Sequence, residues 1–411
     1  MKRCTKCVMA ETHDMLMFDE QGVCSVCRNI EYKKKIDWDQ RENELNLFLD
    51  NYRGKADYDC IIPFSGGKDS TFQAYAIVKK FNLKPLIVSF DHGFYRPTHL
   101  KNCERVVKKL GADFLKFKSD WQVVKKLMKE SLIRKGDIMW HSHCGIYAYP
   151  MQIAVKFKIP LIIWGESTAE YTSYHSFEEK EEVDEKRFNV CGNLGINAED
   201  MVGFLKGAVT KRDLEPYRYP DSKDLRAINF RSICLGNYVP WDTTTQSEII
   251  SKELGWEGDA VEGIPYERYW YEKIEDAFQG IQDYLKWIKR GMSRMTHLAS
   301  IDIRNGRMTR EEGLKMIDMY EGYRPASLDV FLKAINMTED EFNKIALSHV
   351  VSPHTPPDLS KVPRGPELPD QKYWTINNDM EEGLGEIPNY DRKKKTFSNY
   401  YIDNFSKKEQ G

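Results

Sequence analysis

Residues 63–71 read PFSGGKDST and follow directly on the apolar run Cys60-Ile61-Ile62. The next residues, 70–81, have the apolar spacing of a helix, so the stretch is predicted to be the turn between a buried strand and a helix. Gly66 and Gly67 allow the main chain to approach an anion closely, and the N–H groups at the start of a helix point at it. The stretch therefore predicts a phosphate-binding turn.

This turn differs from the triphosphate loop that reads G-x-x-x-x-G-K-S/T, because that pattern needs a glycine at the position of Ile62. Lys68 supplies a positive charge, and the hydroxyls of Ser65 and Ser70 can donate hydrogen bonds. Asp69 suits a phosphate site only if Mg²⁺ lies between its carboxylate and the phosphate. A turn that merely caps a helix is the alternative reading of the same residues.

The fold class follows from the alternation of strand-like and helix-like segments beyond residue 58. Strands are predicted at 58–64, 86–90, 114–117 and 160–164, with a last one within 228–239. Helices are predicted at 70–81, 98–110, 121–133 and 145–157. This alternation indicates an α/β fold in which a parallel sheet is covered by helices on both faces.

The other segments suggest a domain plan around that sheet. After about residue 243 the pattern is mainly helical, and Thr309-x-x-Glu312 and Thr338-x-x-Glu341 predict capping boxes. The predicted parts are a zinc-ribbon module at 1–30, a linker helix at 31–55, the phosphate-loop domain at 56–242, a helical C-terminal region at 243–350, and a proline-rich arm and tail at 351–411.

Composition limits the classes of function. The 411 residues are 41% hydrophobic and carry a net charge of -2, so a large nucleic-acid interface is unexpected. No run of 18 or more apolar residues occurs, and residues 1–14 are too polar for a signal peptide. We therefore expect no membrane span and a cytoplasmic location.

Four of the nine cysteines lie in the first 27 residues, as Cys4-x-x-Cys7 and Cys24-x-x-Cys27. This spacing is typical of a zinc ribbon in which four thiolates close a tetrahedral site around a structural Zn²⁺. An iron–sulfur cluster or four free thiols are the alternatives.

Further candidate residues follow the other predicted strands and the later helices. His143, in the stretch 140–145, ligates a metal with its neighbours, contacts substrate as a positioning group, acid or base, or is a buried helix residue. Glu166 follows a strand and binds Mg²⁺, orients a nucleophile, or lies on a surface loop. Tyr171 belongs to a polar aromatic stretch suited to a sugar or nucleotide. The basic stretch that holds Arg294 and His297 either clamps a diphosphate or forms a solvated helix face.

The stretch Ser65-Gly66-Gly67-Lys68-Asp69-Ser70 resembles the SGG-x-DS loop of the ATP pyrophosphatase, or PP-loop, superfamily. The resemblance implies that these residues bind the β,γ-pyrophosphate of ATP, which is cleaved between its α- and β-phosphates. It implies that Lys68 and Asp69 are catalytic, with Asp69 as a Mg²⁺ ligand. It also implies that Phe90 and Asp91, at the end of the next strand, contact adenine and ribose, although Asp91 alone also reads as a turn residue.

Most of the chain, to about residue 325, resembles the N-acetyl sugar amidotransferases of surface polysaccharide and flagellar glycan pathways. The resemblance is carried by the loop and by segments such as KRCTKCVM (2–9), VSFDHGF (88–94), YPMQIAVKF (149–157) and THLASIDIRNGRMTREEG (296–313). It implies that ATP adenylates the N-acetyl oxygen of a nucleotide-linked sugar and that ammonia replaces it. It also implies partners, a glutaminase subunit and a cyclase-like subunit that deliver ammonia.

Two other functions remain open from the sequence. The first is tRNA thiolation, since zinc knuckles beside a PP-loop also occur there, but that chemistry needs a persulfide cysteine pair or a cluster, plus a basic face. The second is a nucleotide-binding regulatory module, which the acidic residue of the loop and the large helical region make less suitable.

Overall fold

The computed structural model describes residues 1–170 and 192–368, together with Phe177, Lys180 and Phe188. In this part of the chain, five parallel strands form one sheet in the order β3-β2-β1-β4-β5. The strands are β1 Cys60–Pro63, β2 Pro85–Asp91, β3 Asp113–Lys118, β4 Leu161–Trp164 and β5 Arg231–Cys234. The strand order reverses between β1 and β4, and ligands of such sheets bind beyond the strand ends at this point.

Helices cover the sheet and build the C-terminal region. In chain order they are α1 Ser25–Lys33, α2 Trp38–Leu49, α3 Lys68–Tyr75, α4 Pro97–Leu110, α5 Trp121–Lys135, α6 Trp140–Phe157, α7 Ala198–Phe204, α8 Ser222–Ala227, α9 Thr243–Leu254, α10 Tyr266–Tyr269, α11 Gln279–Arg290, α12 Arg294–Arg304, α13 Arg310–Tyr320, α14 Ser327–Ile335 and α15 Glu339–Ser348.

Side chains along β1 alternate between the two faces of the sheet, and helices cover both faces. Cys60 and Ile62 belong to the core cluster beneath α3, α4 and α9, while Ile61 belongs to the cluster beneath α6. All three side chains are fully buried, as expected for a strand with helices on both sides. The predicted fold class, a parallel sheet flanked by helices, is confirmed.

Several boundaries differ from the sequence predictions for local reasons. The helix predicted at 70–81 begins at Lys68 and passes after Tyr75 into a π-helical turn over Ala76–Lys80. The strand predicted within 228–239 is only Arg231–Cys234, because Asn229 has a positive φ of 49° and Leu235–Asn237 form a 3-10 turn. The predicted linker helix at 31–55 is two helices, α1 and α2, of which the first begins inside the predicted zinc-ribbon module.

The C-terminal helices pack on the sheet domain through α5. Phe278, Phe331 and Phe342 share one core cluster with Trp121 and Val124 of α5. Both predicted capping boxes, which begin at Thr309 and Thr338, are present. No helix in the described residues is long and apolar enough to cross a membrane.

Candidate active site

The phosphate loop leaves β1 and is held open by its own serine hydroxyls. The Oγ of Ser70 accepts hydrogen bonds from the N–H groups of Ser65 (3.2 Å) and Gly66 (3.0 Å). The Oγ of Ser65 in turn accepts from the N–H of Gly67 at 3.3 Å. Gly67 is the N-cap of α3 and offers no side chain to the first helical N–H groups. The positive end of α3 is therefore available to an anion.

Both glycines of the loop are required by close neighbours. Gly66 has a φ of +74°, and a Cβ at this position would lie 2.4 Å from both Cys103 Sγ and His99 Cε1. A Cβ on Gly67 would lie 3.0 Å from Oε2 of Glu275. The carboxylate of Glu275 therefore lies over Gly67, at the N-terminus of α3. This position accommodates negative charge, which fits the binding of phosphate.

Lys68 is the centre of a buried ion cluster. Its Nζ lies 2.9 Å from Oδ2 of Asp69 and 2.8 Å from Oε2 of Glu272. Burial opposes the charge on Lys68, but Asp69, Glu272 and Glu166 outweigh burial and raise its pKa well above the ordinary value. Glu272 also contacts Arg294, whose Nη1 lies 3.5 Å from its Oε1. Lys68 is therefore a fixed cation beside the loop.

Two carboxylates at the carboxyl edge of the sheet fit a divalent cation. Oδ1 of Asp69 is buried and has no hydrogen-bond partner among the described residues. Glu166 follows β4, next to β1, and burial together with the like charge of Asp69 raises its pKa well above the ordinary range. A cation between the two would satisfy the unpartnered oxygen and relieve the repulsion.

A segment from the C-terminal region, residues 271–278, lies against the phosphate loop and was not predicted from the sequence. It carries Glu272, Lys273, Glu275 and Asp276, of which the last three line an open cleft of about 620 Å³ together with Ser65. Lys273 has a positive φ of 50°, a conformation that costs energy in a residue other than glycine.

Asp276 has the features of a proton acceptor in this cleft. Its Oδ1 accepts from the N–H of Phe278 at 2.7 Å, while its buried Oδ2 has no hydrogen-bond partner in the described part of the chain. Burial raises the pKa of Asp276 to about 7, with the hydrogen bond from the N–H of Phe278 opposing the rise and the like charge of Glu275 adding to it. A carboxyl poised near neutral pH can take up or release a proton.

His143, in the first turn of α6, also lines this cleft. Burial lowers its pKa, Asp137 opposes this effect, and Lys273 and Lys286 add to the lowering. The imidazole is therefore neutral at neutral pH and can accept a proton or a hydrogen bond from a ligand.

The side chains of Phe90 and Asp91, which are predicted to contact adenine and ribose, already contact other residues of the protein. The ring of Phe90 is buried and packs on Phe117 and Tyr217 at centroid distances of 5.5 Å. Asp91 binds Lys116 through Oδ2 (2.9 Å) and accepts from the N–H of Gly93 through Oδ1 (2.9 Å). Both side chains therefore already have partners within the protein at this strand end.

The predicted substrate-binding residues fall in three different places. Arg294 lines the cleft and contacts both Glu272 and Asp283. His297 lies one turn further along α12 and is not among the cleft-lining residues of the described chain. Burial, with Arg294 and Arg304 close by, lowers its pKa well below the ordinary value. Tyr171 lies outside the described residues.

The four N-terminal cysteines converge as the spacing predicts. The sulfur atoms of Cys4, Cys7, Cys24 and Cys27 are buried and lie within 4.8 Å of one another. Cys4 to Cys27 is 3.9 Å and Cys7 to Cys24 is 3.7 Å, too long for disulfides and close to the separation of about 3.8 Å that Zn–S bonds of about 2.3 Å give in a tetrahedron. The cluster is therefore a metal-binding site.

The cysteine module is attached to the C-terminal helices. Nε of Arg310 donates to the carbonyls of Cys4 (3.1 Å) and Cys7 (3.0 Å), and the hydroxyl of Thr12 donates to the carbonyl of Arg290 (2.6 Å). The module therefore supports the helices that carry Arg294 rather than the sheet alone.

Comparison with known proteins gives three results. Residues 265–355 match the family described as LPS biosynthesis protein WbpG-like, C-terminal domain. An uncharacterized protein of Methanocaldococcus jannaschii is 26% identical over 137 residues, which are 33% of this chain and 48% of that protein. The chain thus spans about half the length of that relative.

The solved structure of the U34-tRNA thiolase NcsA from Methanococcus maripaludis, with its 4Fe-4S cluster, covers 79% of this chain and 90% of its own at 11% identity and a TM-score of 0.25. A likeness at this level carries no conclusion. The family match covers the segment that carries Glu272, Asp276 and Arg294. Residues 265–355 are therefore similar to the C-terminal domain of WbpG-like lipopolysaccharide biosynthesis proteins, which fits the chain's resemblance to the N-acetyl sugar amidotransferases.

Proposed function

We propose that the chain is an ATP-dependent amidotransferase that converts the N-acetyl group of a nucleotide-linked sugar into an acetamidino group, in surface polysaccharide or flagellar glycan biosynthesis. One observation carries the proposal: Ser65 of the SGG-x-DS loop lines the same cleft as Asp276 and Arg294 of the segment that matches the WbpG-like family. An ATP site and a sugar-pathway domain then act on the same bound molecules.

In the first half-reaction, the amide oxygen of the N-acetyl group attacks the α-phosphorus of ATP. The bond from that phosphorus to the bridging oxygen breaks, and pyrophosphate leaves. The N-terminus of α3, the hydroxyl of Ser65 and the charge of Lys68 stabilise the negative charge that grows on the leaving group. Asp69 and Glu166 would hold Mg²⁺, which neutralises phosphate charge when bound.

In the second half-reaction, ammonia attacks the carbon of the adenylated imidate, AMP leaves with the former amide oxygen, and an amidine remains. The attacking nitrogen must lose a proton. Oδ2 of Asp276 has no partner and belongs to a carboxyl with a pKa of about 7, so Asp276 accepts that proton. Neutral His143, which lines the same cleft, holds the N-acetyl group by a hydrogen bond.

Ammonia is scarce as a free base at neutral pH. We propose that a separate glutaminase subunit and a cyclase-like subunit supply it, and that the four cysteines hold Zn²⁺ as a structural ion. Added ammonium salt should then replace glutamine and both subunits, whereas glutamine alone should not support turnover by this chain.

The thiolation alternative gains no support from the described cysteines near the cleft. Burial raises the pKa of Cys103 to about 12 and also raises that of Cys144. A thiol held protonated in this way is a poor nucleophile.

The reaction is tested by pyrophosphate release from ATP with ammonium salt and a panel of uridine diphosphate N-acetylhexosamines. Sugar-dependent release, with a product about one mass unit lighter because NH replaces O, is the expected result. Release that requires tRNA and a sulfur donor, with no response to any sugar, would overturn the proposal.

Asp69→Asn is the matching variant, expected to lower turnover by about a thousandfold or more because it removes charge at the proposed cation site. Asp39→Asn, on the exposed first turn of α2, is the control and should keep full activity. Near-normal turnover in Asp69→Asn would remove the role assigned to this carboxylate.

A further inference from the structure

A second cleft lies within the C-terminal region. It opens between α11, the start of α12 and the end of α13, and Gly365 and Pro366 of the proline-rich arm close one side. The arm is fixed there, since the N–H of Gly365 donates to the carbonyl of Arg324 at 2.8 Å. Arg294 lines this cleft as well as the first one, so the two clefts share a wall.

Two carboxylate oxygens of this cleft's lining side chains have no hydrogen-bond partner among the described residues. Oδ1 of Asp283 is buried with only ion pairs, to Arg294 Nε at 3.6 Å and Lys286 Nζ at 4.0 Å. Oε2 of Glu321 is also without a hydrogen bond, although Oε1 accepts from the N–H groups of Ser293 and Thr296. Asp283 and Glu321 are each 7% exposed, and buried polar groups are normally paired.

Aromatic side chains form another part of the wall. The rings of Tyr284 and Trp287 are stacked, with centroids 6.0 Å apart and planes at 16°. Gly322, with a φ of +86°, allows the chain to pass close to the indole, because a Cβ there would lie 3.0 Å from Trp287 Cζ2. Tyr320 and Tyr323 complete the aromatic part of the lining.

These features together select one ligand chemistry. The two carboxylate oxygens can each accept a hydrogen bond, and the guanidinium of Arg294 beside them can donate one from its other N–H groups. A hydroxyl group both donates and accepts, an ammonium ion only donates, and a phosphate oxygen mainly accepts. A ring that carries several hydroxyls and has an apolar face also matches the aromatic wall.

We propose that this second cleft binds the pyranose ring of a sugar through Asp283, Glu321, Arg294 and the Trp287 face. The inference rests on the proposed function, because it gives the sugar of that reaction its binding site. The connection to the ATP site is direct: Arg294 contacts Glu272, and Glu272 contacts Lys68. Since Arg294 lines both clefts, a sugar in the second cleft lies next to the cleft in which its N-acetyl group reacts.

Binding is tested by saturation-transfer NMR and calorimetry on the full chain without ATP. The probes are N-acetylated hexosamines, their uridine diphosphate forms, uridine diphosphate alone and ammonium chloride. We expect the sugars to bind and Trp287→Leu to weaken them by roughly 3- to 10-fold, the loss of one aromatic contact. Asp283→Asn should weaken them by about tenfold, while Trp38→Phe, on α2, should leave binding unchanged.

Two results would overturn the inference: binding of uridine diphosphate or ammonium without any sugar, or sugar binding that both cleft variants leave intact. Pyrophosphate release separates this failure from failure of the proposed function. If release depends on sugar but Trp287→Leu changes neither KM nor kcat, the reaction stands and the site is wrong. If the sugar binds in a Trp287-dependent way but never stimulates release, the site stands and the reaction is wrong.

Discussion

Glu272→Gln is expected to destabilise the fold by about 3 kcal/mol at neutral pH. Glu272 is only 4% exposed and lies between Lys68 (2.8 Å) and Arg294 (3.5 Å). Burial alone would raise its pKa, but Lys68 and Arg294 reverse the effect and lower it from 4.5 to about 2. A depression of this size corresponds to about 3 kcal/mol, and breaking a buried ion pair on one side costs about 3–5 kcal/mol.

The pH dependence has a defined sign. Because the folded pKa is lower than the unfolded one, the contribution of Glu272 is complete above about pH 4.5 and is lost as the pH falls toward 2. Glutamine is neutral at every pH, so the stability difference between the native chain and the variant should narrow over that window. It should be constant between pH 6 and 8.

Urea unfolding followed by tryptophan fluorescence at several pH values measures this difference. Glu311→Gln is the matched control, because Glu311 is exposed on α13 and pairs with the exposed Lys315; its unfolding midpoint should move far less than that of Glu272→Gln. An unfolding midpoint of Glu272→Gln equal to that of the native chain at pH 7 would refute the argument, as would a difference that stays constant down to pH 3.

Three other perturbations have defined outcomes. Gly66→Ala should abolish ATP binding in a nucleotide-binding assay because its Cβ meets atoms at 2.4 Å, whereas Gly54→Ala, with a similar φ of +68° and nothing within 4 Å, should retain it. Asp276→Asn should lower kcat by about 10²–10⁴-fold and abolish the fall in rate below pH 7. Because burial raises the pKa of Asp276 to about 7, the charged carboxylate destabilises the fold above that pH, and the variant should be more stable there than the native chain. Cys7→Ser should lose bound metal by elemental analysis and expose the chain between α11 and α13 to proteolysis, and retention of the metal would contradict the four-thiolate site.

Local patterns predicted the parts of the fold whose cause is local. The strand–turn–helix at 60–75 follows from an apolar run, two glycines and a helical period, all within sixteen residues. The capping boxes at Thr309 and Thr338 depend on contacts three residues apart. The side-chain directions of Phe90 and Asp91 were not predictable in this way, because a strand residue faces either side according to its register with strands distant in sequence.

Glu272 and Asp276, which complete the site, lie about 200 positions downstream of the loop in the sequence. No hydrophobic period or motif spacing in the sequence identifies them. If the carboxylate of Asp69 binds Mg²⁺, it cannot by itself balance the positive charge of the buried Lys68. A second acidic side chain is therefore required. Glu272 supplies it from the WbpG-like domain. That requirement follows from the charge of Lys68, but only the folded chain identifies the partner. Charge compensation between Lys68 and Glu272 therefore joins the phosphate loop to the segment that matches the WbpG-like family, and a chimaera that exchanges either part should keep both residues.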